Sequence, residues 1–423
     1  MAAQLQYDDI KKEYDNFKNP LVLVEVEGTE ISKSKTGLLV GDIEVESTSG
    51  FEAGIASFVI YGAYNTNTCA FEYSRVKKFV MLGAQVSISV GYGSSVKEVF
   101  CGFISHVNFF FQEDENPGIR VSCMDIKGIM MANCYSKQLT AMSYSEGVQE
   151  IFDSQIYSEM KDRGVIKSLT IVDTPDKGDS SGGSIGSSGL GDLGGLGGLG
   201  SSSSSATDKS VEMVAESDYE FVVKAAKKYN YEFFVSAGNV YFRKAKNFTD
   251  VLMELSPATG MRSIDVEYNV TGLVGKVEVR STDVGKAKQI TNSVKLNNKW
   301  SKGRYASKLV KKAERVYIDP TADSKEEAGY RAAYLAEDVA YRYGTLVAEF
   351  AGIPDLVVGR FIQLVDMGDP VNNLFYIVSV KHSLNSNTGF TTRIEAKASG
   401  LGGSSGGASG LLSGASSALS SLF

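Results

Sequence analysis

The chain has 423 residues, 43% of them hydrophobic, which is enough to bury the cores of two or three domains. Its formal net charge of −7 gives no general reason to bind nucleic acid or an anionic membrane. No stretch approaches the roughly 18–20 apolar residues that span a bilayer, and Met1 to Lys18 lacks the apolar centre of a signal peptide, so no membrane anchor is expected and folding should take place in the cytoplasm.

Residues 1–20 read as a helical arm with Ile10, Tyr14 and Phe17 on one side. Alternating apolar residues then mark strands at 21–27, 55–61, 86–92, 99–111 and 119–124, separated by turns such as Gly91-Tyr-Gly-Ser and Glu115-Asn-Pro-Gly118. Short strands at this spacing, in a chain with 21 Tyr and 21 Phe, predict a sandwich or barrel over 21–136. The four cysteines, Cys69, Cys101, Cys123 and Cys134, lack metal-type spacing and read as small core hydrophobes.

Residues 137–250 read as an α/β unit. Ser143 to Glu146 and Ser217 to Glu220 are capping boxes, the first opening a helix with Val148, Ile151, Phe152 and Met160 on one face. A hairpin follows the second helix, with its turn at Ala237-Gly-Asn239. The unit is interrupted by a Gly/Ser/Leu-rich insertion, 178–207, too poor in apolar surface to order itself. Its leucines at 190, 193, 196 and 199 leave two readings: a surface insertion, or an extended three-residue-per-turn helix with one leucine face in a partner groove.

Strand patterns return at 251–399, around 266–270, 274–280, 346–350, 361–366, 375–381 and 391–396, with one helix near 324–343. They predict a second barrel. Residues 83–106 align without a gap on 359–382, with Gly at both starts and His106 and His382 at both ends, which predicts two related barrels in one chain. Residues 400–423 are Gly- and Ser-rich. Within them Ala408, Leu412, Ala415, Leu419 and Leu422 follow a coiled-coil spacing that Gly410 and Gly414 weaken, so a solvated tail and an axial docking segment both remain open.

Chemistry is mostly absent from the pattern. There are two histidines, and no H-E-x-x-H, P-loop, G-x-S-x-G or dinucleotide fingerprint, so neither a catalytic set, a metal site nor a cofactor is expected. Charge is unevenly placed, however. Residues 286–315 hold ten Lys or Arg against Glu314 alone, a net +9 that leaves −16 on the remainder, together with the single tryptophan, Trp300. The segment suits a solvated loop, a nucleic-acid contact, or a docking surface for an acidic neighbour in which Lys308, Lys311 and Lys312 take part.

Three stretches together resemble a known family. They are the run Ser217-Asp-Tyr-Glu-Phe-Val-Val-Lys-Ala-Ala-Lys-Lys-Tyr-Asn-Tyr-Glu-Phe-Phe with Val240-Tyr-Phe, the Phe100-x-Gly-x-Ile104 strand, and Gly359-Arg-Phe through Tyr376-Ile-Val-Ser-Val-Lys-His to Gly389-Phe-Thr-Thr. Their order is similar to that of the phage late control protein D and VgrG-like tail-hub family. The resemblance implies a mainly β fold with a smaller α/β part: two tube-like β-barrel domains plus an α/β insertion domain. It also implies a homotrimer that adapts a six-fold tail tube to a three-fold spike in a contractile phage tail or injection system, without catalysis. The expected partners are tail-tube subunits, a separate central spike protein and a tape-measure protein. If the tail is an axial docking segment, Leu412, Leu419 and Leu422 form its contact; nucleic acid enters only as cargo in the channel. The expected location is the tail or device baseplate, assembled in the bacterial cytoplasm. Two departures stand out: no fused spike follows residue 399, and the 178–207 insertion has no counterpart in the family pattern. A tail-associated peptidoglycan hydrolase and a tail-tube or distal adaptor subunit are the alternatives.

Overall fold

The computed structural model describes residues 4–32, 38–175, 211–283, 286–300 and 303–402. The 178–207 insertion and the segment with Leu412, Leu419 and Leu422 lie outside the described residues.

The arm contains helix α1 (Tyr7–Glu13), which buries Ile10, with Tyr14 buried just beyond it. The Leu5 N–H donates to the Leu252 carbonyl at 2.8 Å, so the arm is pinned on the distant second half of the chain. The first β region comprises β1 (Pro20–Val26), β2 (Thr29–Glu30), β3 (Leu39–Thr48), β4 (Ile55–Tyr61), β5 (Tyr64–Asn65), β6 (Ala70–Phe71), the short helix α2 (Tyr73–Val76), β7 (Gln85–Tyr92), β8 (Ser95–Gln112) and β9 (Glu115–Met124). The pleat sorts the side chains: along β3, Ile43 and Val45 are buried while Glu44 and Glu46 face water.

The α/β part runs through α3 (Ile126–Met130), β10 (Tyr135–Gln138), α4 (Tyr144–Phe152), α5 (Gln155–Asp162), β11 (Ser168–Ile171), β12 (Glu212–Glu216), α6 (Asp218–Tyr229), β13 (Tyr231–Ser236) and β14 (Asn239–Lys244). Both capping boxes form, Ser143 with Glu146 and Ser217 with Glu220. The helix expected to reach Met160 breaks at Asp153-Ser154 into α4 and α5, which lets both pack on one core. Strands β13 and β14 turn at Ala237-Gly238, both with positive φ, as a two-residue primed hairpin turn requires.

The last region holds β15 (Val251–Leu255), β16 (Met261–Tyr268), β17 (Lys276–Asp283), β18 (Lys288–Lys295), α7 (Arg304–Lys312), β19 (Glu314–Ile318), α8 (Lys325–Ala340), β20 (Gly344–Ala351), β21 (Phe361–Leu364), β22 (Leu374–Asn385) and β23 (Gly389–Ala398). Strand β17, read from sequence with its neighbours 346–396, is not in their sheet. It pairs antiparallel with β18 and parallel with β19 in a separate three-stranded sheet. Helix α8 explains why. Its face is small (Ala328, Ala332, Ala336, Val339), so it approaches closely over Val277 and Val279 of β17.

The fold is therefore mainly β with a smaller α/β part. Thirteen strands form one sheet, in the order β16-β20-β23-β22-β3-β4-β9-β8-β7-β1-β2, with β21 also on β22 and β15 on β21. The two β regions join where β22 pairs antiparallel with β3, from Ser379 opposite Thr48 to Leu384 opposite Ile43. No pairing among the described residues closes this sheet into a barrel. It is nonetheless strongly curved. The Tyr92 hydroxyl at the end of β7 donates to the Gly352 carbonyl at 2.9 Å, and its ring lies 5.5 Å from Phe390 of β23, with five strands between the two in the order. Sheets beyond about ten strands curl or split in this way. One hydrophobic core holds residues of both regions, from Val24 and Phe58 to Phe350 and Ile394.

Gly102, in the Phe100-x-Gly-x-Ile104 strand, lies closely against the backbone of the neighbouring strand β9. A Cβ there would lie 2.2 Å from the Met124 carbonyl oxygen, a backbone atom that cannot yield. Gly102→Ala is expected to cost about 2 kcal/mol through overpacking, read as a lowered denaturant midpoint. An unchanged midpoint would show that β8 and β9 separate there freely.

Candidate functional site

Three places merit attention: the basic segment, the cleft around His382, and the junction between the α/β part and the second β region.

The basic segment divides on folding. Its tryptophan is structural, because Trp300 Nε1 donates to the Ser399 carbonyl at 2.8 Å and the ring packs near Tyr343. That removes it from any base-stacking role. Lys286 pairs with Asp283. Residues 304–312 form α7, where Lys308, Lys311 and Lys312 are exposed. Val310 alone on α7 is buried, against Val277 and Val339. Tyr305 and Leu309, one helical turn apart, are 80% and 71% exposed. After Ala313 the chain enters β19, whose Val316 and Ile318 are 43% and 84% exposed. Among the described residues no ion pair engages Arg304, Lys308, Lys311, Lys312 or Arg315. Glu314 is turned to Lys276 at 3.4 Å. Lys308, Lys311 and Lys312 thus share one helix, an element not expected there from the sequence. The exposed apolar residues beside them were missed, although the i, i+4 spacing of Tyr305 and Leu309 in a basic helix was a readable signal.

The two histidines sit on corresponding strands. In the meander β7-β8-β9, His106 of β8 faces Ser122 of β9; in β21-β22-β23, His382 of β22 faces Thr392 of β23. Their environments differ. His106 is exposed, whereas His382 is buried with Nδ1 2.9 Å from Thr392 Oγ1. The registers differ too: Ile88 pairs with Phe100, but Phe361 pairs with Tyr376. His382 lines a cleft of about 330 Å³ with Lys97, Glu98, Lys167 and Asn239. There Lys97 pairs with Asp355, and Lys167 with Glu98. The charges cancel in pairs, so the cleft presents no net attraction for an ion.

The junction is built from the signature hairpin. Glu232 and Arg243 face each other across β13 and β14, with Arg243 Nε 2.6 Å from Glu232 Oε1. Arg243 Nη2 donates to the Gly359 carbonyl at 2.8 Å, and the Tyr376 hydroxyl donates to Glu232. Burial, the larger influence, raises the Glu232 pKa, and Arg243 pulls it back. The site holds two regions of the chain together and presents nothing to solvent.

Cys101 and Cys123 are buried, but Cys69 and Cys134 are exposed, which corrects the reading of all four as core residues. Among the described residues no group of three or more His, Cys, Asp or Glu gathers as a metal site would require.

A family profile described as the Alg8 N-terminal domain matches residues 18–173, well under half of the chain. A sequence search of the curated proteins returns no match. Solved structures match far more of the chain. A tail protein from Neisseria meningitidis MC58 has 13% sequence identity, covers 90% of this chain and 98% of its own, and gives a TM-score of 0.60. The 43 kDa tail protein of prophage MuSo2 from Shewanella oneidensis has 11% identity, with 89% and 98% coverage and a TM-score of 0.60. An E. coli component of the type VI secretion system, described as structurally similar to the bacteriophage T4 tail proteins gp27 and gp5, has 10% identity, with 90% and 77% coverage and a TM-score of 0.51. At these identities the shared property is the fold, and the fold of this chain is that of tail proteins over nine-tenths of its length.

Proposed function

We propose that the protein is a structural hub of a contractile phage tail or a related injection machine. It forms a homotrimer, and each protomer contributes two tube-like barrels to a ring of six that meets the tail tube on one side and a separate three-fold spike on the other. The observation that carries this reading is the end-to-end fold match with tail proteins, which leaves almost nothing of either chain unmatched. The strong curvature of the thirteen-stranded sheet, and the two meanders with His106 and His382 on their middle strands, favour two tubes over the single tube of a tail-tube or distal adaptor subunit. The work is docking, not catalysis. The location that follows is the virion or device baseplate. Among the described residues no helix is long and apolar enough to cross a membrane.

Light scattering of the purified chain, followed by electron microscopy of the particle, tests the proposal. A species of three times the 45.5 kDa chain mass, with six-fold density at one face and three-fold density at the other, is expected. A protein that stays monomeric in solution and is absent from the particle ring would overturn it, as would efficient digestion of peptidoglycan.

A further inference from the structure

The small sheet β18-β17-β19 has an open edge at β19. Among the described residues β19 pairs only with β17, so its other side offers unpaired backbone N–H and C=O groups. Exposed edges of this kind are ordinarily blunted by charged or proline residues on the strand itself, because they invite pairing with another chain. Here the outward residues of the strand are Glu314, which is paired with Lys276 of β17, followed by the aliphatic Val316 and Ile318, so the outward side of the strand's second half carries no charge. Helix α7, one residue upstream, adds the exposed Tyr305 and Leu309. Isolated surface apolar residues need no explanation, but four within fifteen residues of sequence, two of them on an open edge strand, do.

The surrounding charge identifies the chemistry of what covers them. Arg304, Lys308, Lys311, Lys312 and Arg315 carry no ion pair among the described residues, while Lys276, Arg280 and Lys286 in the same unit each have a carboxylate. The unpaired cations lie within a segment of net +9, against −16 on the rest of the chain. We propose that the β19 edge is a strand-addition site for an acidic, extended segment of a partner polypeptide. That segment would continue the sheet as a fourth strand, with alternate aliphatic residues against Val316 and Ile318 and acidic residues toward the lysines of α7. A polypeptide fits better than a nucleic acid or a lipid surface, because only a polypeptide uses a row of in-plane backbone donors and acceptors. Of the four exposed residues only Tyr305 offers a base a ring to stack on, whereas single-strand binders stack successive bases on several. The inference is independent of the trimeric hub, since a monomeric chain keeps the same edge.

The full-length protein can be titrated with a fluorescent peptide of four Glu-Val repeats, with four Lys-Val repeats, oligo-dT and anionic vesicles as competing probes. The expected result is saturable binding of the Glu-Val peptide, weakened by added salt. Amide hydrogen exchange across β19 should slow when it binds. The triple variant Lys308→Glu, Lys311→Glu, Lys312→Glu should weaken binding about tenfold or more, as should Val316→Thr combined with Ile318→Thr. Thermal unfolding of both variants should remain close to that of the parent, because exposed charges and exposed aliphatics contribute little to a fold. Three results would overturn the proposal: no binding of the Glu-Val peptide, binding that leaves β19 exchange unchanged, or preferential binding of oligo-dT or vesicles.

Discussion

Replacing Arg243 with alanine is expected to destabilise the protein by about 3–5 kcal/mol, the scale for removing one partner of a buried ion pair. Glu232 and Arg243 are 6% and 9% exposed. The guanidinium does three things at once. It bonds the Glu232 carboxylate, donates to the carbonyl of Gly359, and lies over the rings of Phe234, Tyr241 and Phe248. Truncation leaves a carboxylate out of water with the Tyr376 hydroxyl and the more distant Lys246 N–H, at 3.4 Å, as donors. It also leaves the Gly359 carbonyl without this donor. Gly359 is also tied to β22, where its N–H donates to the Ile377 carbonyl at 3.1 Å. Its φ is +77°, and a side chain there would strike Phe234. Because Gly359 precedes β21 and Glu232 lies on β13, the loss would also loosen the α/β part from the second β region. Urea denaturation measures this directly. The single variant should show a much lower midpoint, while the double variant Glu232→Met with Arg243→Met should recover much of it by removing both charges together. A single variant with the parent's midpoint would show that the pair holds nothing together.

The second large effect is on pH. Stability is expected to fall as pH drops from about 6.5 to about 4, with His382 contributing about 3 kcal/mol of the loss. Burial, the main cause, holds the His382 pKa down to about 4; Lys97 adds to this and Asp355 opposes it. The unfolded chain takes up a proton near the ordinary histidine value, whereas the folded chain resists until about pH 4. Between those limits the unfolded state binds more protons, so acid favours it. The contribution is fully present above pH 6.5 and lost as pH falls through 4. Chemical denaturation at a series of pH values checks it. His382→Gln should flatten this part of the profile, leaving the decline due to carboxylates. If the His382→Gln variant follows the parent curve, His382 is not the group that titrates.

Sequence alone determined the local structure, because local structure depends on neighbours a few residues apart. The serine–glutamate capping boxes of α4 and α6 formed where the spacing placed them. The alternation at 86–92 buried Val86, Ile88 and Val90 and left the serines between them half-buried, and the hairpin turn fell where Gly238 permits a positive φ, whereas β3 was not expected from the sequence. The cross-strand partnership of Glu232 with Arg243 was also legible in principle, since a two-residue turn at 237–238 sets that register. Clustering of Lys308, Lys311 and Lys312 required only that 304–312 be helical. What tertiary structure decided were contacts between segments hundreds of residues apart, which no local period encodes. The pairing of β3 with β22 merges two β regions into one sheet. The small alanine face of α8 draws β17 into a separate sheet and so leaves β19 with an open edge. The two histidines share a place in their meanders, yet one faces water and the other is sealed among β22, β23 and the Lys97–Asp355 pair. Burial is a property of what packs on a strand from outside it, so a histidine on the middle strand of each meander acquired opposite surroundings.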